Sequence, residues 1–304
     1  MRIFLILLCM VIAMPLYAQS ALSMTEAAQG IYVHQGKHEL PDTTNHGAIA
    51  NIGFIVGDRC VAVIDTGGNP DEGMALKQSI QKITSKPVCY VINTHVHPDH
   101  IYGNIAFKMP GVQFIGHKNL ARAMAARAQF YLDRAAEQIA VDLKPENLIP
   151  PDKAVNGHMK IDLGGRVLEL TAHAAAHTDN DLTVYDPATE TLWMSDLLFI
   201  RHLPVIDGSL LGWLKEIKAL EKRSFKIVIP GHGPIVSDWP KSLQPEKQYL
   251  ETLQQEIRAL IKSGKFIEEA IETVGYQFKD QWLLFDQFHR KNVTTAFAEL
   301  EWEE

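Results

Sequence analysis

The sequence predicts an α/β fold in which two mixed β-sheets stack face to face, with helices on their outer sides. The main observation is the order of the elements: strands, helix, strand and helix precede a second run of strands, helix, strand and helices, as in layered α/β architectures. Apolar residues make up 46% and charged residues 21% of the chain, which is typical of a globular protein. The sequence lacks the Gly-x-Gly-x-x-Gly fingerprint of dinucleotide-binding folds and the Gly-x-Ser-x-Gly elbow of serine hydrolases.

The first half of the chain begins with strands. Residues 28–56 alternate apolar and polar side chains and are interrupted by glycines, which indicates antiparallel strands, and Gly57-Asp58 is typical of a hairpin turn. The elements predicted in this half are strands at 51–56, 60–65, 87–94 and 112–116, helices at 71–85 and 119–140, and a loop at 144–153.

The second half repeats the strand pattern and ends in helices. From Pro245 the chain is predicted to be helical to its end, with a break near Ser263-Gly264. No Pro/Ser-rich linker separates the halves, so we expect one domain at 19–240 and a helical extension at 241–304 packed on it. The other elements predicted here are strands at 159–162, 166–171, 182–186, 191–195 and 225–229, and a helix at 212–223.

Residues 1–18 have the build of a secretory signal peptide. Met1-Arg2 is a short positive start, Ile3–Tyr17 is almost wholly apolar, and polar residues follow Ala18, where we expect cleavage. The alternative is a membrane anchor, but an apolar run of 15 residues is shorter than the roughly 20 that span a bilayer. We therefore expect a periplasmic or secreted protein without stable membrane insertion after cleavage.

Cys60 and Cys89 are the cysteines that such cleavage would leave. Each opens a predicted buried strand, and a right-handed βαβ unit would lay these two strands side by side. An exported chain could join them in a disulfide. Two free buried thiols are the equal alternative.

The strongest chemical signal is the segment Thr94–His100, which reads THVHPDH. Side chains two apart on an extended chain point the same way, so His95 and His97 can grip one cation, while Pro98 turns Asp99 and His100 toward a second position. Three imidazoles and one carboxylate favour zinc or a similar first-row ion over calcium or magnesium.

Three further residues at predicted strand ends are candidates to complete the metal shells. They are His177, Asp196 and His232, and loops at strand ends are where such folds gather their sites. His173 is a rival for the position of His177. We prefer His177 because Thr178 and Asp181 follow it.

Together these motifs resemble the metallo-β-lactamase superfamily, from about Asn51 to Pro234. Asp65-Thr-Gly and Gly103-Asn104 belong to the same resemblance. It implies a four-layer αβ/βα sandwich with two Zn²⁺ ions at the edge between the sheets. By resemblance His95, His97 and His177 hold the first ion, Asp99, His100 and His232 hold the second, and Asp196 bridges them.

Asp196 also narrows the resemblance within that superfamily. The familiar β-lactamases have Cys or Ser at this place, whereas an Asp resembles the glyoxalase II and lactonase branches. The stretch from Ser195 through Asp207-Gly208 to Trp213, with the signal peptide, most resembles exported zinc hydrolases associated with periplasmic quinoprotein systems. Such a system is therefore the candidate partner.

The implied activity is hydrolysis of a small-molecule carbonyl compound: an ester, thioester, lactone or cyclic amide such as a β-lactam. Two cations that share a water lower its pKa from about 15.7 toward 7, which yields hydroxide at neutral pH. Asp99 is the expected catalytic residue, which orients this water and passes its proton on. Two alternatives are a mononuclear iron sulfur dioxygenase of the same fold and a non-catalytic periplasmic accessory protein.

Charge gives only coarse information about other partners. The net charge of −7 leaves no basic footprint, so nucleic acid is not expected as a partner. Arg127 and Arg134 are seven residues apart and share a helix face, which could capture an anion, but a solvated helix face is the favoured interpretation. Trp193 and Trp213 are expected to be packing residues, and His202 is given no role.

Overall fold

The computed structural model describes residues 20–303, and the predicted signal peptide at 1–18 lies outside them. The first sheet has seven strands in sequence order: β1 (Thr25–Ala28), β2 (Ile31–His34), β3 (Ile52–Val56), β4 (Val61–Ile64), β5 (Val88–Ile92), β6 (Gln113–His117) and β7 (Lys153–Val155). The second sheet has five in the order β12-β11-β10-β9-β8, with β8 (His158–Asp162), β9 (Val167–Ala172), β10 (Leu182–Asp186), β11 (Thr191–Phe199) and β12 (Ile227–His232).

Both sheets are mixed, as predicted. In the first, β1 to β4 pair antiparallel and β4 to β7 parallel, while in the second only the β11–β12 pair is parallel. The seven helices of the described residues are α1 (Pro70–Ile83), α2 (Pro98–Ile101), α3 (Leu120–Ile139), α4 (Leu210–Leu220), α5 (Gln244–Lys262), α6 (Ile267–Thr273) and α7 (Phe285–Leu300).

The main core lies between the two sheets. Ile55 and Ile64 of the first sheet pack in one buried cluster with Leu168, Val184 and Trp193 of the second. Strands buried on both faces lose contact with water on each side, which explains the continuous apolar run of β4. The predicted sandwich is therefore confirmed.

Helices cover the outer face of each sheet. Leu76 and Ile80 of α1 pack on Phe54 and Val63 in the first sheet. Asn69 begins this helix by accepting a hydrogen bond from the backbone N–H of Glu72 at 2.8 Å, and Pro70 takes the first helical position. The helices α4, α5 and α7 form one cluster with the outer face of the second sheet, which completes the four layers.

Cys60 and Cys89 form a disulfide, so the free-thiol alternative is wrong. Their Cα atoms are 5.8 Å apart. Cys60 immediately precedes β4 and Cys89 lies in β5, and these two strands pair in parallel around the crossover helix α1. The predicted βαβ geometry brings the two sulfurs together.

Two element boundaries differ from the prediction in ways that affect the site. The strand β11 was expected to end at Ser195 but continues to Phe199, because an irregular register around Ser195 (φ 51°) lets the strand resume beside β12. Asp196 therefore lies within a strand and not after it. Lys153–Val155, partly predicted as loop, pairs with β6 as an edge strand.

The helices after residue 243 pack on α4 and on one another. Tyr249, Leu253 and Ile257 of α5 are fully buried in the same cluster as Trp213 of α4. Both Trp193 and Trp213 are buried, as expected for packing residues. Over residues 20–303, no helix combines the length and apolar character needed to cross a bilayer.

Candidate metal centre

The chain brings the seven side chains singled out in the sequence to one place between the sheets. The loop that follows β5 carries His95 and His97, and the short helix α2 carries Asp99 and His100. The other three come from the loop after β9, from β11 and from the end of β12, as His177, Asp196 and His232. They form two groups, within each of which the candidate ligand atoms lie within 4.8 Å of one another.

The first group consists of His95, His97, His177 and Asp196. His97 Nδ1 is 2.9 Å from His177 Nε2. Asp196 Oδ2 is 3.4 Å from His177 Nε2 and 3.7 Å from His95 Nε2. Three imidazole nitrogens and one carboxylate oxygen thus face a common point, as a tetrahedral zinc site requires.

The second group consists of Asp99, His100 and His232. Asp99 Oδ2 is 3.6 Å from His100 Nε2 and 3.4 Å from His232 Nε2. Asp196 also reaches this group, with Oδ1 3.2 Å from His100 Nε2 and Oδ2 3.5 Å from His232 Nε2. Asp196 therefore stands between the two groups, in the position that a bridging carboxylate needs.

The centre fits metal ions because its buried polar atoms lack other partners. His95 Nε2, His100 Nε2 and Asp196 Oδ1 are buried and form no hydrogen bond within residues 20–303, although nearly all buried polar atoms are paired in folded proteins. Burial would lower the pKa of His232, but the carboxylates of Asp196 and Asp99 raise it to about 9. The same two carboxylates would attract a cation to this place, and binding it requires His232 to be unprotonated.

Four of the five histidines have their other ring nitrogen occupied, which fixes the nitrogen that is free to bind. His100 Nδ1 donates to Asp65 at 2.8 Å and His177 Nδ1 to the Val205 carbonyl at 2.6 Å. In His97 the two ring nitrogens exchange these tasks: Nε2 donates to Asp207 at 3.2 Å, and Nδ1 faces His177. The fourth is His95, whose Nδ1 is 3.0 Å from the Thr94 hydroxyl. Such partners orient metal-binding imidazoles.

Asp65 organises the base of the centre. This buried residue accepts hydrogen bonds from the backbone N–H of Thr94 at 2.8 Å and from its hydroxyl at 2.7 Å, besides the one from His100. Because the Thr94 hydroxyl proton is donated to Asp65, the Thr94 hydroxyl oxygen accepts a hydrogen bond from His95 Nδ1. Asp65 has φ 56°, a conformation that costs a non-glycine residue energy and that the surrounding hydrogen bonds must hold.

A cavity of about 390 Å³ opens onto both groups. His97, Asp99, His177, Asp196 and His232 lie at its floor. Arg127 and Arg134 both line it, and because Arg127 is half-buried and Arg134 is exposed, this helix face is in contact with solvent and also borders the cavity. His202, Asp207 and Lys291 also line the wall and were not assigned a site role from the sequence. His202 had no neighbouring motif, whereas Asp207-Gly208 was a detectable signal.

The structure places His173 away from the seven residues. Its Nδ1 lies 2.8 Å from Glu216 and its Nε2 2.8 Å from the Thr183 hydroxyl, so both ring nitrogens are already paired. His173 belongs to neither group of candidate ligands, and His177 takes the position for which the two competed.

Comparisons with known sequences found one family model and a curated relative. A model described as the metallo-beta-lactamase superfamily matches residues 47–232, more than half of the chain. Among curated proteins, the alpha subunit of the 2,4-dinitroanisole O-demethylase from Nocardioides sp. (strain JS1661) is 23% identical over 182 residues. Those residues are 59% of this chain and 51% of that protein, so the match spans about half the length of this relative.

Solved structures with the same fold include two metallo-beta-lactamases. The one from Pontibacter korlensis is 22% identical with a TM-score of 0.61, over 76% of this chain and 99% of that one. The one from Hirschia baltica is 19% identical with a TM-score of 0.59, over 76% and 98%. An inverting sec-alkylsulfatase from Pseudomonas sp. is 17% identical with a TM-score of 0.63, over 83% of this chain and 45% of that one. At these identities the likeness concerns the fold alone.

Proposed function

The chain belongs to the metallo-beta-lactamase superfamily, and we propose that it is an exported hydrolase that uses two zinc ions to cleave a carbonyl compound. The substrate class is an ester, thioester, lactone or cyclic amide such as a β-lactam. The observation that carries the proposal is the pair of ligand groups joined by Asp196 at the floor of an open cavity. A structural zinc site is usually closed by four protein ligands and reaches no cavity.

Each residue of the centre has a defined task in this proposal. His95, His97 and His177 hold the first ion, Asp99, His100 and His232 hold the second, and Asp196 joins them. When bound, the two ions lower the pKa of a shared water and polarise the substrate carbonyl. The cavity admits the substrate, and Asp65, Asp207 and the Val205 carbonyl keep three imidazoles in register.

Asp99 is the residue proposed to move the proton. Burial opposes its ionisation, but His100 and His232 hold its pKa at about 2, so it is a carboxylate at neutral pH. It also lines the cavity, which makes it reachable by water and substrate. Its oxygen accepts the proton of the attacking water and returns it to the leaving atom.

Export is part of the proposal. The signal-like residues 1–18 suggest it, and the Cys60–Cys89 disulfide supports it, because such bonds persist in oxidising compartments and are rare in the cytosol. Periplasmic localisation and a quinoprotein partner stay predictions. Cell fractionation with an antibody against the chain tests the first of them.

The two alternatives differ in metal and turnover. A mononuclear iron dioxygenase uses fewer of these ligands, so the complete second group of Asp99, His100 and His232 counts against it. An accessory protein would keep the metals without catalysis. The open cavity over both groups counts against that alternative.

Metal analysis combined with a substrate screen tests the proposal. We expect about two zinc ions per chain and turnover of at least one member of a panel of esters, thioesters, lactones and β-lactams. Because the relatives include an O-demethylase subunit and a sec-alkylsulfatase, the panel includes 2,4-dinitroanisole and a secondary alkyl sulfate. Bound iron with oxygen uptake would favour the dioxygenase, and bound zinc without any turnover would favour the accessory protein.

The variant Asp99→Asn tests the assigned proton transfer. We expect kcat to fall by about 100-fold or more, since general acid–base catalysis contributes about that much. The matched control is Asp142→Asn, whose side chain is 80% exposed and, among residues 20–303, paired only with Lys144. Unchanged turnover in the Asp99→Asn protein would refute this mechanism.

A further inference from the structure

The wall of the metal cavity carries an unusual local charge. Arg127 and Arg134 of α3 and Lys291 of α7 all line it, although the whole chain has a net charge of −7. Apart from the candidate ligands, the acidic residues that line the cavity are Asp207 and Glu39.

Two of the three cations share one carboxylate partner. Arg127 donates to Asp207 Oδ2 at 3.4 Å and Lys291 to Asp207 Oδ1 at 3.3 Å. The same carboxylate accepts from His97 Nε2. His97, Arg127 and Lys291 therefore all bind the carboxylate of Asp207, and together they hold it beside the first ligand group.

Arg134 is the cation without such a partner. Within residues 20–303 it forms no salt bridge, and its guanidinium carbon lies 5.9 Å from the centre of the Phe130 ring. Glu39, which also lines the cavity, is paired with Lys37 at 3.9 Å. On the same helix Arg122 donates to Asp179 at 2.8 Å and does not line the cavity. The charge of Arg134 is therefore available to a ligand in the cavity.

Arg134 stands at the end of the cavity that lies beside the second ligand group. Seven residues of helix separate it from Arg127, which is about 10 Å along the axis. Arg134 lines both the main cavity and an adjoining cavity of about 100 Å³. Asp99 also lines both cavities. Pro41, Ile49 and Ile139 supply apolar walls to the smaller cavity. An extended molecule over Asp99 thus has both apolar surface and a guanidinium within the same pair of cavities.

We propose that the substrate carries an anionic group, of which a carboxylate is the simplest, and that Arg134 binds it. The planar guanidinium donates two parallel hydrogen bonds to a carboxylate, which fixes orientation as well as charge. The inference deepens the proposed function and rests on it, because the reacting carbonyl is taken to lie at the metal centre. The anchored tail would then hold that carbonyl over Asp99.

Hydrolysis of a matched pair of esters tests this inference. The pair is 4-acetoxybenzoate, which is charged, and its methyl ester, which is neutral and has the same scissile bond. We expect Arg134→Met to raise KM for the charged ester by about tenfold and to leave kcat/KM for the neutral ester within about twofold. The control Arg122→Met should change neither value. An equal loss for both esters, or no loss, would overturn the inference.

A binding measurement separates this inference from the proposed function. Calorimetry on the zinc-loaded protein compares adipate with monomethyl adipate, a flexible pair that differs in one carboxylate. We expect adipate to bind about tenfold more tightly, and Arg134→Met to abolish that preference while Arg122→Met keeps it. A preference that survives Arg134→Met would contradict the anion site. Failure to turn over any member of the substrate panel would contradict the proposed function alone, since the adipate preference requires no turnover.

Discussion

Single buried carboxylates perform two different tasks in this chain. Asp65 binds Thr94 and His100 and thereby sets the orientation of two candidate metal ligands. Asp186, in the second sheet, pairs with Arg166 at 2.6 Å and also accepts from the Thr189 hydroxyl. Both are almost fully buried, so each depends on its hydrogen bonds to remain charged. Asp65 therefore acts on the centre, whereas Asp186 acts on stability.

We predict a pH-dependent stability from the Arg166–Asp186 pair. Burial opposes ionisation of Asp186, but Arg166 and Thr189 lower its pKa below the usual 3.8. The pKa of Asp186 is lower in the folded than in the unfolded chain. The stabilisation is therefore fully present at pH values above the unfolded pKa and is lost as the pH falls through the folded pKa. Asp186→Asn should lower the free energy of unfolding at neutral pH by about 1 to 3 kcal/mol.

Urea unfolding of wild type and variant checks this prediction. The difference in free energy should shrink as the pH falls from about 5 to about 3. Zinc content at neutral pH serves as the control and should be the same in both proteins, because Asp186 contacts none of the candidate ligands. A difference that stays constant over this pH range would contradict the prediction.

At the scale of elements, the C-terminal helices take part in building the centre. The loop between β11 and α4 contains Val205, whose carbonyl accepts from His177, and Asp207, which accepts from His97. Asn292 of α7 holds this loop, since it donates to the Pro204 carbonyl at 2.6 Å and accepts from the Ile206 N–H at 2.9 Å. A helix beyond the residues matched by the family model thus positions two ligands of the first group.

We predict that Asn292→Ala weakens one of the two metal sites. Loss of both loop contacts should free His97 and His177 and lower zinc affinity of the first group by about tenfold or more, as removal of ligand-orienting partners does. Titration against a competing chelator measures this. The control on the same helix is Thr294→Ala, which removes only a contact to the Arg290 carbonyl. Equal zinc affinity in Asn292→Ala and wild type would contradict the positioning role.

At the scale of the whole molecule, stability and metal binding are separated along the strands. The disulfide lies at the start of β4 and β5, whereas His95 follows the other end of β5, six residues from Cys89 or about 20 Å along an extended chain. The parallel strands of the first sheet therefore carry a covalent link at one end and metal ligands at the other.

We predict that the double variant Cys60→Ala/Cys89→Ala loses stability but not zinc affinity. A link across 29 residues restricts the unfolded chain, and its removal should cost about 3 to 4 kcal/mol. Denaturant unfolding measures the loss, and chelator titration is the control. The variant is preferable to thiol reductants because these bind zinc. A drop in zinc affinity as large as the drop in stability would show that the two ends of the strands are coupled.

Residue type and spacing alone were enough to identify most of the elements and the seven residues that converge. The His95–His100 segment is dense in ligand types, His177 follows a strand and His232 ends one, so local sequence carries these signals, whereas Asp196 lies within β11. Most of the other strand and helix positions followed from apolar periodicity. The length of β11 did not, because its bulge at Ser195 depends on pairing with β12.

Only the tertiary structure decided what surrounds the centre. Asp207 meets Arg127 from 80 residues away and Lys291 from 84 residues away, and no local pattern marks such pairs. The sequence favoured Arg134 as a charge on a solvated helix face, and only the fold shows that it lines the cavity. The physical reason is that a metal ligand must be a particular kind of side chain, whereas a cavity wall can be built from many kinds, and its members are chosen by long-range packing.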